Sequence, residues 1–245
     1  MTFSKFKSKL AIALFSLTLS LPTLAVTFEE TQRLANQGDV NAQYEVALHY
    51  AYGINIQSDN KEAFKWYQKA ANQGFLDAQF KLGEMYKTGQ GVQQDYAKAF
   101  KWYQKAANQN GADSTFSLAA QNNLGIMYAN GQGVRQDYAK AFKWYQKAAS
   151  QGLLEAQSNL GALYANGQGV RQDYAKAFKW YQKAANHSGS HPANAVAKNS
   201  LGIMYEYGQS VRQDKRKAKE WYGKACDKGN QNGCDNYRRL NEQGS

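Results

Sequence analysis

Five tryptophans occupy the same position of one repeated motif, which is most regular between Lys98 and Ala107. The intervals between them are 36, 42, 36 and 41 residues, and the rings belong to Trp66, Trp102, Trp144, Trp180 and Trp221. Two intervals of 36 residues, with two that are longer by about five or six, describe a tandem array. A period of this length indicates stacked supersecondary units, none of which buries its apolar face alone.

Residues 1–25 are typical of a secretory signal peptide. Lys5, Lys7 and Lys9 precede an apolar run from Leu10 to Leu21, and the small residues of Thr23–Ala25 offer a cleavage site. The run is short for a membrane span, and a retained N-terminal anchor is the alternative interpretation. We therefore expect residues 26–245 to be periplasmic or secreted and not an integral membrane protein.

Basic residues outnumber acidic ones, and the formal net charge of the full chain is +11. This excess is consistent with weak association with an anionic envelope polymer, although a solvated helix face that keeps a repetitive protein soluble is the favoured explanation. Nucleic acid is not an expected partner, because the tryptophans recur at core spacing and cannot serve as base-stacking platforms. The two cysteines, Cys226 and Cys234, form an even and closely spaced pair that predicts a disulfide in an oxidising compartment.

One unit, from Gly74 to Asn108, shows how the repeat folds. Ala78, Leu82 and Tyr86 follow helical spacing, and the first helix is expected to end at Gly89. Asp95 is a natural N-cap for a second helix that carries Trp102 and Tyr103. Each period is therefore predicted to be a helical hairpin. A glycine recurs inside the first helix, at positions 83, 125, 161 and 202, where a tryptophan or tyrosine of the partner helix is expected to approach.

Tyrosine, aspartate and tryptophan recur at one spacing in all five units, as at Tyr128, Asp137 and Trp144, and the glycine of Gly125 recurs in four of them, with Ala47 in the first unit. This pattern resembles the Sel1-like repeat, a relative of the tetratricopeptide repeat. The resemblance implies an all-α, right-handed α/α superhelix (a solenoid) of five helical hairpins with terminal capping helices. The expected segments are a signal peptide at 1–25, an N-terminal cap at 26–37, repeats at 38–73, 74–110, 111–151, 152–187 and 188–229, and a C-terminal cap at 230–245.

The resemblance also implies an adaptor or scaffold that holds a protein or peptide partner in a concave groove lined by the first helices. Two adjacent positions of these helices vary from unit to unit, as a recognition surface requires. They are occupied by Tyr44, Glu45, Phe80, Lys81, Asn122, Asn123, Ser158, Asn159, Asn199 and Ser200. Units three and four are nearly identical elsewhere, so either the partner is itself repetitive or that shared surface carries little specificity. The inserts 110–118 and 187–196 are expected to be secondary contact sites.

Catalytic and metal-binding candidates are few. His49 is expected at the edge of the core, and His187 and His191 lie in a loop without a third ligand. We predict no catalytic residue, no metal and no cofactor. Two rival functions remain: a β-lactamase-like or penicillin-binding hydrolase, which cysteine-rich relatives of this family suggest, and a binder of peptidoglycan or another anionic polymer.

Overall fold

The computed structural model describes residues 27–108, 114–187 and 191–244, and the expected signal peptide lies outside them. In this part of the chain all regular structure is α-helical. The helices are α1 (Phe28–Asn36), α2 (Val40–Tyr52), α3 (Asn60–Asn72), α4 (Leu76–Thr88), α5 (Tyr96–Ala107), α6 (Thr115–Asn130), α7 (Tyr138–Ser150), α8 (Leu154–Asn166), α9 (Tyr174–Ala185), α10 (Pro192–Tyr207), α11 (Lys215–Cys226) and α12 (Gln231–Glu242).

The helices form five hairpins, each made of a first helix (α2, α4, α6, α8, α10) and a second helix (α3, α5, α7, α9, α11). Each helix packs against the next one in sequence, and α4 also contacts α6 as α8 contacts α10. The short α1 covers α2, and α12 covers α11. The predicted all-α solenoid with capping helices is confirmed. We call its two sides the first-helix face and the second-helix face.

In α4, α6, α8 and α10 the internal glycine is packed against a tyrosine of the second helix, whereas α2 carries Ala47 at this position. A Cβ atom added to Gly125 would lie 2.5 Å from the Tyr145 ring, and one added to Gly161 would lie 2.8 Å from the Tyr181 ring. No real Cβ tolerates such a distance without movement, so glycine is required for this close approach. The expected aromatic neighbour is therefore tyrosine in every such unit, and not tryptophan.

The tryptophans are less buried than the repeat pattern suggested. Only Trp66 is buried, with 6% of its surface exposed. Trp102, Trp144, Trp180 and Trp221 are half-buried at the boundary of the apolar clusters. The interpretation of all five indoles as interior residues is therefore wrong. The second helix points its alanines and tyrosine inward and leaves part of the indole accessible to solvent.

The turn between the two helices requires a left-handed backbone at two positions. Gly89 ends α4 with φ of 78°, and Gly91 follows with φ of 69°. In the first and fifth units Asn55 and Ser210 replace the second glycine, and both adopt φ of 61°. These two units therefore keep the turn geometry at a steric cost that glycine avoids.

The two inserts lengthen first helices. Helices α6 and α10 each contain 16 residues, whereas α4 and α8 contain 13. Ser114 caps α6 and His191 caps α10 by accepting backbone hydrogen bonds. Residues 109–113 and 188–190 of the inserts lie outside the described residues. The described part of each insert thus adds about one turn to the N-terminus of a first helix.

Candidate functional site

The positions predicted to bind a partner lie on the first helices, where the structure buries some of them. Four side chains of the set are buried, namely Phe80, Asn122, Ser158 and Asn199. Glu45 is exposed, and the half-buried members are Tyr44, Lys81, Asn123, Asn159 and Ser200. The accessible part of the predicted site is therefore Tyr44 and the second of the two adjacent positions, which is occupied by Glu45, Lys81, Asn123, Asn159 and Ser200.

Two of the buried amides, Asn122 and Asn199, are each hydrogen-bonded to an amide of a neighbouring helix. Asn159 Nδ2 donates to Asn122 Oδ1 at 3.1 Å, and Asn236 Nδ2 donates to Asn199 Oδ1 at the same distance. The first pair links α6 to α8, and the second links α10 to α12. A hydrogen bond between buried side chains fixes the register of two helices, so these residues position the first-helix face.

Glu84 is a polar centre of this face that the sequence analysis did not identify. Its Oε1 accepts hydrogen bonds from the Tyr103 hydroxyl at 2.6 Å and from Asn123 Nδ2 at 3.2 Å. Burial, followed by the charge of Glu84, raises the pKa of the Tyr103 phenol far above its usual value. One sequence signal could have pointed to Glu84. It directly follows the glycine inside the first helix, and units three and four carry the apolar residues Ile126 and Ala162 at this position.

Lys81 is held beside two aromatic rings. Its Nζ donates to the Tyr52 hydroxyl at 3.2 Å and lies 5.8 Å from the Tyr52 ring centroid and 5.7 Å from that of Phe116. Among the described residues no carboxylate lies within 4.0 Å of this ammonium group. The first-helix face therefore carries a fixed cation without an ion-pair partner at this place.

A cavity of about 330 Å³ opens next to Lys81, between α2 and α4, and we call it the α2–α4 pocket. Its lining includes Tyr52, Tyr67, Lys81, Glu84 and Gln90. The Tyr67 side chain is 2% exposed, and its hydroxyl has no hydrogen-bond partner in the described part of the chain. Burial raises the pKa of this phenol strongly, so it stays protonated. An unpartnered buried hydroxyl costs stability, and this one belongs to a residue that lines the pocket.

The second-helix face has a different chemistry, because each indole carries a lysine of the following turn. Lys105 Nζ lies 4.1 Å from the Trp102 ring centroid, and Lys183 Nζ lies 4.4 Å from that of Trp180. Trp66, Trp144 and Trp221 have the same neighbour in Lys69, Lys147 and Lys224, at 3.6, 5.6 and 4.7 Å. Such cation–π contacts keep an ammonium group over each half-buried ring.

The C-terminal end of the stack is fastened by two devices. Cys226 and Cys234 form the expected disulfide, which joins α11 to α12. Glu206 is buried and accepts hydrogen bonds from the Tyr222 hydroxyl at 2.6 Å and from Arg239 at 2.8 Å. The Arg239 hydrogen bond lowers the pKa of Glu206 below its ordinary value. This hydrogen-bonded group joins α10, α11 and α12, and the sequence pattern did not predict it.

The histidines have structural partners. His49 Nδ1 lies 2.7 Å from the Ile54 carbonyl oxygen, and His191 Nε2 lies 3.0 Å from Glu155 Oε1. The described residues contain no group of three histidine, cysteine, aspartate or glutamate side chains arranged to hold a metal ion. Within the same ranges no helix combines the length and the apolar character that crossing a bilayer requires.

Comparisons with known proteins agree with this architecture. The chain is similar over 85% of its length to a protective antigen of uropathogenic Escherichia coli, at 38% identity and a TM-score of 0.76, and it spans 42% of that longer chain. A Sel1 repeat protein from Oxalobacter formigenes is 31% identical, with a TM-score of 0.67, and the match covers 81% of this chain and 75% of that one. The tetratricopeptide repeat protein YrrB shares the fold at 19% identity, with a TM-score of 0.54 and coverage of 84% and 95%. No match was found among curated proteins.

The model of the Sel1 repeat matches the chain five times, at residues 40–75, 76–111, 118–153, 154–188 and 195–230. Each matched segment contains one first helix and one second helix of the solenoid. Sel1 repeats typically serve as non-catalytic scaffolds that bind other proteins, and the stacked hairpins seen here agree with such a role. The matched segments cover most of the sequence, and the chain belongs to the Sel1 repeat family.

Proposed function

We propose that this protein is an exported adaptor that holds a segment of another protein along its first-helix face and performs no chemistry itself. The α2–α4 pocket carries the proposal. The buried, unpartnered hydroxyl of Tyr67 is costly for the isolated chain, and the Lys81 ammonium group beside it has a hydrogen bond to Tyr52 but no ion-pair partner. An acidic or polar group of a bound segment that enters the pocket supplies the hydrogen bond to Tyr67 and the opposite charge to Lys81.

The unequal burial of the first-helix positions suggests two roles, one structural and one in binding. The buried amides Asn122 and Asn199 hold the helices in register, and the accessible Lys81, Asn159 and Ser200 contact the partner. A preformed surface of this kind limits the ordering cost of binding, so many modest contacts suffice for affinity. Export agrees with the disulfide, because such bonds persist in oxidising compartments.

A crosslinking experiment tests the location of the partner. A photoreactive phenylalanine analogue is placed in the native cell envelope at Asn159 or Ser200 on one face, and at Lys143 or Lys179 on the other. We expect a discrete adduct from the first pair, and we expect Lys81→Glu to weaken its formation about tenfold, which corresponds to roughly 1.4 kcal/mol. A matched charge reversal, Lys101→Glu, should leave the adduct unchanged. Equal adducts from both faces would contradict the proposal.

Tyr67→Phe separates binding from folding. This variant removes a hydroxyl that has no partner, so the free chain should be as stable as before or more stable by about 1 kcal/mol. Partner affinity should nevertheless fall, since the lost hydroxyl contributes only in the complex. Unchanged affinity in this variant would show that the Tyr67 hydroxyl, and with it the α2–α4 pocket, does not bind the partner.

The absence of catalysis is tested separately. Purified protein is incubated with a chromogenic β-lactam, and the product is followed by absorbance. We expect no turnover above that of heat-denatured protein. Turnover that is lost on denaturation would favour the hydrolase alternative over the adaptor.

A further inference from the structure

The second-helix face repeats one basic surface three times. Helices α5 and α9 have the same twelve-residue sequence, and α7 repeats it before one further residue. Each contains three lysines and no acidic residue. Because the three helices occupy the same place in successive hairpins, their lysines recur on one side of the stack.

The three lysines of each helix have different environments. Lys140 Nζ lies 3.5 Å from the N-cap carboxylate of Asp137, and Lys147 lies over the Trp144 ring. Lys143 is exposed and has no ion pair or hydrogen bond within the described ranges, as is also true of Lys101 and Lys179. Each helix therefore presents one uncompensated ammonium group between two partly neutralised ones.

An open cavity lies over this surface in the third unit. It has a volume of about 300 Å³ and is lined by Lys140, Lys143, Trp144 and Lys147. The half-buried indole of Trp144 forms an apolar floor, and the ammonium groups of three lysines surround it. A ligand that suits this cavity carries negative charge and also offers a flat C–H surface.

We infer that this lysine–tryptophan track, formed by α5, α7 and α9, binds a linear acidic polysaccharide whose sugar rings bear carboxylate groups. A ring of such a polymer places its C–H face on the accessible part of the indole and its carboxylate near the lysines. The same cavity lining recurs in sequence at Trp102 and Trp180, so a polymer with repeating charges engages several units at once. Three weak contacts on one chain then add up through high effective concentration.

Other polyanions fit this surface less well. Large apolar side chains that protrude, as a membrane anchor requires, lie outside the track. They are Tyr52, Ile54, Val196, Tyr207 and Tyr237. Lys105, Lys147 and Lys183 lie over the half-buried indole rings, so these rings are poor platforms for stacking a nucleic acid base. The track is separate from the α2–α4 pocket, and its inference does not depend on the adaptor function.

The test measures binding of the purified full chain to polygalacturonate by calorimetry at low and moderate salt. We expect saturable binding that weakens with salt, whereas neutral dextran should not bind. The triple variant Lys101→Gln, Lys143→Gln and Lys179→Gln should raise the Kd about tenfold and reduce the salt slope by roughly two to three. Circular dichroism and Tm should stay unchanged, because all three side chains are exposed and unpaired.

A matched control removes three other positive charges, one from each of three units. Arg135→Gln, Arg171→Gln and Arg212→Gln change exposed side chains in the turns between helices. This variant should change the Kd less than about threefold if position and not net charge decides binding. An equal loss in both triple variants would overturn the track as a defined site.

Competing polyanions test the choice of polymer. Poly-L-glutamate, duplex DNA and phosphatidylglycerol vesicles are titrated at matched charge concentration. We expect each to bind at least about tenfold more weakly than polygalacturonate, because none places the C–H face of a carboxylate-bearing sugar ring on the accessible part of the indole. Equal or tighter binding of one of them, with the same dependence on Lys101, Lys143 and Lys179, would replace the acidic polysaccharide. No binding of polygalacturonate would refute the inference.

Discussion

The two faces of the solenoid differ in how their exposed side chains are used. On the second-helix face, α5 and α9 are identical, including lysines that packing does not require. On the first-helix face, equivalent positions carry Lys81, Asn123, Asn159 and Ser200. One hairpin geometry thus supports a uniform basic surface on one side and a varied polar surface on the other. The comparison shows that the stack constrains its inward residues and leaves each face free to acquire its own ligand chemistry.

The contact that joins the two faces should give the largest effect on stability. Gly161→Val places a β-branched side chain where a single Cβ already lies 2.8 Å from the Tyr181 ring. We expect the free energy of unfolding to fall by about 3 kcal/mol, because overpacking forces the helices apart. Chemical denaturation followed by circular dichroism measures this loss.

Gly152→Ala is the control for that variant. Gly152 has φ of 96°, and no atom lies within 4 Å of an added Cβ. Only backbone strain opposes this change, so its cost should stay near 1 kcal/mol. If Gly161→Val and Gly152→Ala lowered the free energy of unfolding equally, the glycine–tyrosine contact would not be what holds the first and second helices together.

Removal of the disulfide should have the next largest effect and should be confined to one end. Cys226→Ser together with Cys234→Ser opens a short loop, which should cost about 2–3 kcal/mol in the last repeat. Hydrogen exchange of α11 and α12 should increase, while α5 and α7 keep their protection. Uniform loss of protection along the chain would show that the repeats do not unfold independently.

Acid should weaken the second helices more than the first helices, and this is the smallest effect. Asp95, Asp137 and Asp173 cap second helices, and a hydrogen bond from the backbone N–H three residues later lowers the pKa of each carboxyl group. A depressed folded-state pKa contributes stability above the unfolded pKa of about 3.9, which is lost as pH falls through the folded value. Helices α4 and α8 have no side-chain hydrogen bond at the N-cap, so they lack this pH-dependent contribution to stability.

The measurement is Tm between about pH 5 and pH 2, with hydrogen exchange to separate the two helix classes. The control is the triple variant Asp95→Asn, Asp137→Asn and Asp173→Asn. Asparagine also caps helices but does not titrate, so the variant should lose less Tm than the unmodified chain over this range. Equal losses would place the acid sensitivity elsewhere, with Glu206 as the next group to examine.

Much of the fold could be predicted from the sequence because it depends on short-range patterns. The period of 36 residues, the helical spacing of Ala78, Leu82 and Tyr86, and the N-cap aspartates act within one hairpin. The capping hydrogen bond from Lys98 N to Asp95 Oδ1, at 2.9 Å, is such a local feature. The same pattern gave the wrong burial for four indoles, because amphipathic spacing does not tell how far a ring at the edge of the stripe extends from the core.

The candidate site was only partly predictable. The sequence identified the two variable positions but not which of them the stack would bury. It also missed Glu84, Glu206 and Tyr67, whose importance comes from partners in other units or from having none. Glu206 and Arg239, for example, are 33 residues apart in the chain and form an ion pair of 2.8 Å.

The sequence by itself determined the repeating hairpin, its turns, its caps and the cysteine pair, since each follows from residues close together in the chain. Only the tertiary structure decided that a tyrosine ring packs on the helical glycine, that four indoles stay half-buried beneath lysines, and that Lys81 and Tyr67 line one pocket. The physical reason is that stacking brings together side chains from different turns and different units. Their distances depend on how closely the helix backbones approach one another, and no local pattern encodes that quantity.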